Sequence, residues 1–249
     1  MNSYSALARF YDALTPDVPY ARFADFYEEI FTRLGLSVRT VADLACGTGT
    51  LARILAERGY DLIGVDASED MLSEAFDKLS DITPMPLLVR QRLEELDLFG
   101  TVDAAVCALD GMNYLSPDEL SRALERIYLF LEPGGVLIFD LNSPHKLRSL
   151  DGQAFIDETE DVFCVWRAEF DTALQACRYG VDLFARQGRL WSRTQEEHVE
   201  YLHEPEAVLK ALDRAGFSGL SLYGELEMRP PREDEARLFF VARKPLKEG

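Results

Sequence analysis

The chain has 249 residues, 47% of them hydrophobic, and 26 Lys and Arg against 44 Asp and Glu give it a formal charge of −18. That length supports one substantial core, or a core with a small appendage. No apolar run approaches the roughly 18 residues of a spanning helix, so no membrane segment is expected, and a surface of this sign disfavours nucleic acid as a partner. The basic residues are dispersed and form no local patch. Cys46, Cys107, Cys164 and Cys177 are scattered without a C-x-x-C pair, and three of them sit in apolar runs. This predicts reduced, mostly buried thiols in a cytoplasmic protein. The first 30 residues carry Asp12, Asp17 and Asp25 and lack a signal-peptide apolar core. His145, His198 and His203 show no metal-ligand spacing, so no metal is expected.

Two helical faces precede the first strand. Tyr4, Leu7, Ala8 and Tyr11 share one; Phe23, Phe26, Tyr27, Ile30, Phe31 and Leu34 share the other. Pro16 and Pro19 separate them, and Gly35 ends the second. Next comes the stretch around which the chain is organised, T-V-A-D-L-A-C-G-T-G-T-L-A at 40–52. Val41 to Ala45 reads as a buried strand interrupted only by Asp43, and Leu51 to Arg58 as a helix. Gly47 permits the sharp turn between them. Gly49 is read as the point where a ligand approaches the main chain, facing the free N–H groups of the helix start. A second apolar strand, Leu62 to Val65, ends in Asp66. An acid at that position holds the two hydroxyls of a ribose in a parallel α/β fold. The crevice is therefore expected to bind an adenosine-like group.

Gly47-x-Gly49-x-x-Ala52 fits the dinucleotide fingerprint, so an NAD-dependent oxidoreductase is one reading. The whole stretch more closely resembles the glycine-rich loop of class I S-adenosylmethionine-dependent methyltransferases. Asp43, Ala45-Cys46-Gly47-Thr48-Gly49-Thr50 and Val65-Asp66-Ala67-Ser68 all match that family. The physical difference is charge. A pyrophosphate would be repelled by Asp43 under the loop, whereas an ammonium and a sulfonium suit it. The resemblance implies S-adenosylmethionine as cofactor and S-adenosylhomocysteine as product. It implies cofactor contacts at Asp43, Ala45, Cys46, Gly47, Thr48, Gly49, Asp66 and Ala67. S-x-L-A-R-F-Y-D followed by Tyr20-x-x-Phe23 resembles the N-terminal lid of small-molecule methyltransferases, which makes Tyr11 and Tyr20 cofactor-lid candidates; ordinary helix packing is the other reading.

Farther along, Ser68 is a plausible N-cap for a helix whose Met71 stands where relatives meet adenine. A third strand, Pro86 to Arg90, leads into Gln91-Arg92-Leu93. Many relatives carry an acid at the Arg92 position, so a carboxylate contact to adenine is not expected from that residue. The Leu93 N–H and Gln91 remain candidates, and Arg92 itself and Leu109 are also counted among the expected cofactor-binding residues. The fourth strand, Val102 to Leu109, ends in Leu109-Asp110-Gly111-Met112-Asn113-Tyr114. That is the expected floor of the reaction site, because ligands lie beyond the carboxyl ends of strands in open α/β sheets. The N/D-P-P-Y motif of base and glutamine methyltransferases is absent. Tyr114, with His198 and Asp110 behind it, is the candidate for orienting or deprotonating the acceptor; Asn113 is a substrate candidate that a turn role would equally explain. Ser116-Pro117-Asp118-Glu119 caps a helix over 117–131, and L-E-P-G-G breaks it before a fifth strand, Val136 to Asp140.

Residues 157–201 leave the helix–strand alternation. Val162 to Trp166, Arg178 to Phe184 and Leu190 to about Tyr201 read as an antiparallel three-stranded insertion. Similar sheets cover the acceptor pocket in small-molecule methyltransferases, which makes Trp166, Arg167, Tyr179, Trp191, Arg193 and His198 pocket candidates. A helix over 204–215, a strand over 217–223 and a final strand Arg237 to Arg243 close the chain.

The fold class expected is α/β: a Rossmann-like seven-stranded methyltransferase sheet with an N-terminal helical lid and the antiparallel insertion. The expected parts are 1–39 (lid), 40–150 with 202–249 (cofactor domain) and 151–201 (insertion). The expected function is methyl transfer to a nitrogen or oxygen of a small-molecule acceptor, by a monomer or homodimer. The alternatives are an RNA or protein methyltransferase needing a partner, an NAD-dependent oxidoreductase and a non-catalytic cofactor-binding regulator.

Overall fold

A computed structural model describes residues 7–246; Tyr4, expected on the first helical face, lies outside them. A 3-10 turn, Ala8–Phe10, runs into the short helix α1, Tyr11–Leu14. After the proline break, α2 (Tyr20–Arg33) buries Phe23, Phe26, Tyr27, Ile30 and Phe31 along one stripe. Gly35 takes φ +63° just past its end, and the Leu36 N–H returns 2.9 Å to the Phe31 carbonyl.

The alternation then follows: β1 (Thr40–Leu44), α3 (Thr50–Glu57), β2 (Asp61–Asp66), α4 (Glu69–Leu79), β3 (Leu87–Arg90), β4 (Val102–Cys107), α5 (Pro117–Phe130), β5 (Leu131–Asn142) and α6 (Pro144–Ser149). Ser68 caps α4 by accepting from the Met71 N–H, and Ser116 and Glu119 form a reciprocal capping box on α5. The insertion comprises β6 (Ala154–Glu158), β7 (Val162–Asp171), β8 (Ala176–Gln187) and β9 (Leu190–Tyr201). Finally come α7 (Pro205–Arg214), β10 (Ser218–Tyr223) and β11 (Arg237–Arg243).

The main sheet has the order β3-β2-β1-β4-β5-β11-β10. The first five strands are parallel, and β11 is antiparallel to both β5 and β10. Both faces are covered, which is why the central strands read as continuous apolar runs. Along β5, Leu137, Phe139 and Leu141 pack with α5 and α7, while Val136 and Ile138 pack with α2 and α3. Strand order reverses at β1/β4, so a crevice opens beyond their carboxyl ends.

The insertion has four strands in the order β6-β7-β8-β9, not three. The additional strand, β6, is a largely exposed edge, so no buried face marked it in the sequence. The sheet has two unlike faces. Cys164, Trp166, Tyr179, Val181, Glu196 and His198 share the inner one by register. There Leu7, Phe10, Tyr11 and Leu14 of the N-terminal segment pack on Val162, Cys164, Trp166, Tyr179, Val181 and Leu183. The lid thus bridges the insertion and the main sheet.

Candidate active site

The β1–α3 loop is shaped by three left-handed residues, Ala45, Gly47 and Gly49, at φ 54°, 54° and 76°. A Cβ on Gly47 would meet no protein atom within 4 Å, consistent with its place in the cleft wall. Gly49 differs from the sequence expectation. A Cβ there would stand 3.0 Å from Ala75 Cβ and 3.3 Å from Leu79 Cδ1, so its smallness serves the packing of α3 on α4 rather than ligand approach.

Asp66, at the end of β2, accepts from the Gly47 N–H at 2.9 Å and the Ser68 N–H at 2.8 Å. It holds the glycine loop while facing the cleft, and burial raises its pKa. Asp43 is 1% exposed, and its Oδ2 is buried without a hydrogen-bond partner. Burial first, then the neighbouring Asp66, push its pKa up to about 8, against a stabilising Ala52 N–H.

Two connected compartments lie over these acids. One encloses only about 80 Å³ beneath the lid, bounded by Tyr11, Tyr20, Asp43, Cys46, Thr48, Met71, Leu109 and Tyr114. The other, about 690 Å³, runs past Ala67 and Ser68 to Gln91, Arg92, Leu93 and Glu94. Ala45, Asp66, Gly111 and Tyr114 border both. The lid is fastened over the first. Asp12 Oδ1 accepts from Thr48 Oγ1 at 2.7 Å, and Lys78 Nζ donates to Asp12 Oδ2 at 2.6 Å and to Thr50 Oγ1 at 2.6 Å. Burial and then Asp12 hold the Tyr20 hydroxyl up at about 12, so it is a neutral hydrogen-bonding group.

Several sequence candidates have other duties. The Gln91 amide is spent on the Asp97 main chain, at 3.0 and 2.9 Å. Arg92 pairs with Glu94 and Glu119. Glu94, unassigned from sequence, brings the acid that Arg92 does not: its Oε2 is buried in the same wall without a hydrogen-bond partner. Asp110 is not a free counter-charge, because Arg237 Nη2 donates to it at 2.7 Å. Asn113 is fully buried and ties β5 to β9, accepting from the Asn142 N–H at 2.9 Å and donating to the Tyr201 carbonyl at 3.0 Å. The insertion's outer face holds Arg167 and Arg193, both on Asp182, so neither faces the cleft. Trp191 belongs to that outer side and is half exposed. Trp166, Tyr179 and His198 are on the inner face. His198 is 1% exposed, shares a hydrogen bond with Glu196 at 3.2 Å, and stands edge-on to Tyr114 with ring centroids 6.1 Å apart. Tyr114 therefore borders the cleft, with His198 behind it.

Fold and cleft define an α/β protein with a crevice at the carboxyl ends of β1 and β4, an acid at the end of β2 that holds the glycine loop, and beneath that loop a buried carboxylate with one oxygen unpartnered. Comparison with known proteins agrees. The model of the family "Methyltransferase domain" matches residues 41–135. The YqeM protein of Bacillus subtilis (strain 168), assigned as a methyltransferase, is 30% identical over 97% of both chains. The crystal structure of an S-adenosylmethionine-dependent methyltransferase from Clostridium acetobutylicum ATCC 824 superposes with a TM-score of 0.87 at 30% identity, covering 98% of this chain and 100% of that one. S-adenosylmethionine-bound CalS10, an amino pentose methyltransferase from Micromonospora echinaspora, shares the fold at a TM-score of 0.74 and 20% identity, covering 98% and 97%. The chain belongs to the class I S-adenosylmethionine-dependent methyltransferases, and S-adenosylmethionine is its cofactor.

Proposed function

We propose that the chain methylates a nitrogen or oxygen of a small-molecule acceptor, with an amine-bearing sugar as the first class to test. The observation that carries this reading is the enclosure of the under-lid compartment. The lid tyrosines and the Leu109–Tyr114 floor narrow the cleft to about 80 Å³, which leaves no room for a strand of nucleic acid, and the insertion packs on the lid from behind. The amino pentose methyltransferase of the same fold supports the choice of amino sugars.

When bound, the cofactor supplies a methyl group already activated by its sulfonium. The protein's share is alignment, exclusion of water and removal of a proton. Asp43 would hold the ammonium and Asp66 the ribose, while Met71, Leu93 and Glu94 would border the adenine. Tyr11 and Tyr20, carried by the lid that Asp12 fastens, would close over the methionine end. Tyr114 would face the acceptor, with His198 edge-on to its ring and Glu196 hydrogen-bonded to that imidazole. Four free cysteines support a cytoplasmic setting. A panel of amino sugars, small amines and phenols, followed by S-adenosylhomocysteine release, tests the reading. Turnover on RNA or protein, with none on the panel, would refute it.

A further inference from the structure

The floor of the cleft is shaped from the far end of the chain. After β4, Leu109 and Asp110 both stand at φ 55°. Two consecutive side-chain-bearing residues in this region are disfavoured, because Cβ crowds the following carbonyl, and such a turn persists only where its surroundings impose it. Here they do. Asp140, fully buried on β5, accepts from the Leu109 N–H at 2.9 Å with one carboxylate oxygen and from the Asp110 N–H at 3.0 Å with the other. Arg237, the first residue of β11, forks between them: Nη1 donates to Asp140 and Nη2 to Asp110. Burial opposes the guanidinium charge, but Asp140 and Asp110 overcome it and raise the Arg237 pKa. The antiparallel register sets Asp140 opposite Phe239, two residues from Arg237, which places the two side chains as diagonal neighbours.

The turn bears directly on the cofactor compartment. Ala108, Leu109 and Gly111 border it. A Cβ on Gly111 would stand 2.8 Å from Ala45 Cβ and 2.9 Å from Cys107 Sγ, so the turn is pressed against the glycine loop at another left-handed residue. We infer that Asp140 and Arg237 are positioning residues of the methyl-transfer site: they impose the left-handed Leu109–Asp110 turn and thereby set the floor on which the cofactor rests. The inference rests on the methyltransferase reading above. A buried ion pair that only stapled β11 to β5 would be indifferent to the conformational preference of residue 110, and this difference can be measured.

S-adenosylhomocysteine is titrated calorimetrically into the wild type, Arg237→Gln, and Arg237→Gln combined with Asp110→Ala or Asp110→Gly, with thermal unfolding followed on each. Arg237→Gln is expected to lose about tenfold or more in affinity. Both second substitutions remove the stranded Asp110 charge, but only glycine removes the Cβ penalty at positive φ. Asp110→Gly should therefore recover most of the loss and Asp110→Ala little of it. If Arg237→Gln does not fold, the same pair is compared in Arg237→Lys, whose point charge cannot fork to two carboxylates. Equal recovery by Ala and Gly, or undiminished affinity without the arginine, would overturn the inference. A wild type that does not bind would instead refute the reading on which it rests.

Discussion

Asp43 should give up a proton when S-adenosylhomocysteine binds. In the free protein its pKa stands at about 8, raised by burial and by Asp66, and its Oδ2 has no hydrogen-bond partner. An ammonium placed there favours the ionised form. At pH 7, one unit below that pKa, about nine in ten molecules carry the proton, so about 0.9 proton is released per ligand bound and ionisation costs about 1.4 kcal/mol. Affinity should rise about tenfold from pH 6 to pH 7 and level off near pH 8, while the ligand amine stays protonated over the lower part of this window. The stability of the free protein runs the other way. The native state holds a proton that the unfolded state has lost between the ordinary carboxylate range and pH 8, so stability falls with rising pH by about 1.4 kcal/mol per unit there. Calorimetry at pH 7 in two buffers of different ionisation enthalpy reads the proton directly. Asp43→Asn should abolish the release, weaken binding and raise thermal stability at pH 8. Identical observed enthalpies in both buffers, or a flat affinity from pH 6 to 8, would refute the argument.

Asp66→Ala should cost about 10- to 100-fold in S-adenosylhomocysteine affinity by calorimetry, since it removes the proposed ribose partner together with the acceptor that holds the Gly47 N–H. Hydrogen exchange should show residues 8–20 protected on adding S-adenosylhomocysteine. Asp12→Ala should reduce that protection severalfold, because it frees the lid from Thr48 and Lys78. Tyr114→Phe should lower turnover on any acceptor found by the panel while leaving S-adenosylhomocysteine affinity nearly unchanged; lost affinity with turnover intact would place Tyr114 in the cofactor pocket instead. A gel shift with RNA at physiological salt should show no complex, given the −18 charge.

The cofactor domain was legible in the chain because its signals are local. An apolar run, two glycines and an acid 17 residues after Gly49 specify a strand, a turn and a carboxylate at the end of the second strand, all within about 30 residues. Caps at Ser68 and Ser116, the turns of the insertion and the final strand were readable for the same reason: each depends on neighbours a few residues away. What the sequence left open depends on distance across the fold. Asp110 meets Arg237 across 127 positions, and Leu7 donates to Glu196 across 189. The period of two along β7 and β9 separates their alternate residues, but not which set faces the lid. Trp166 therefore lies inward, whereas Arg167 and Arg193 lie outward on Asp182. Asp140 carries the same local mark as Asp66, an acid ending an apolar strand, yet one organises the glycine loop and the other a turn clamped by arginine. Local patterning can place a carboxylate at a strand end. Only the packing of strands distant in sequence decides which donor reaches it, because hydrogen bonds and ion pairs require approach within about 3 Å.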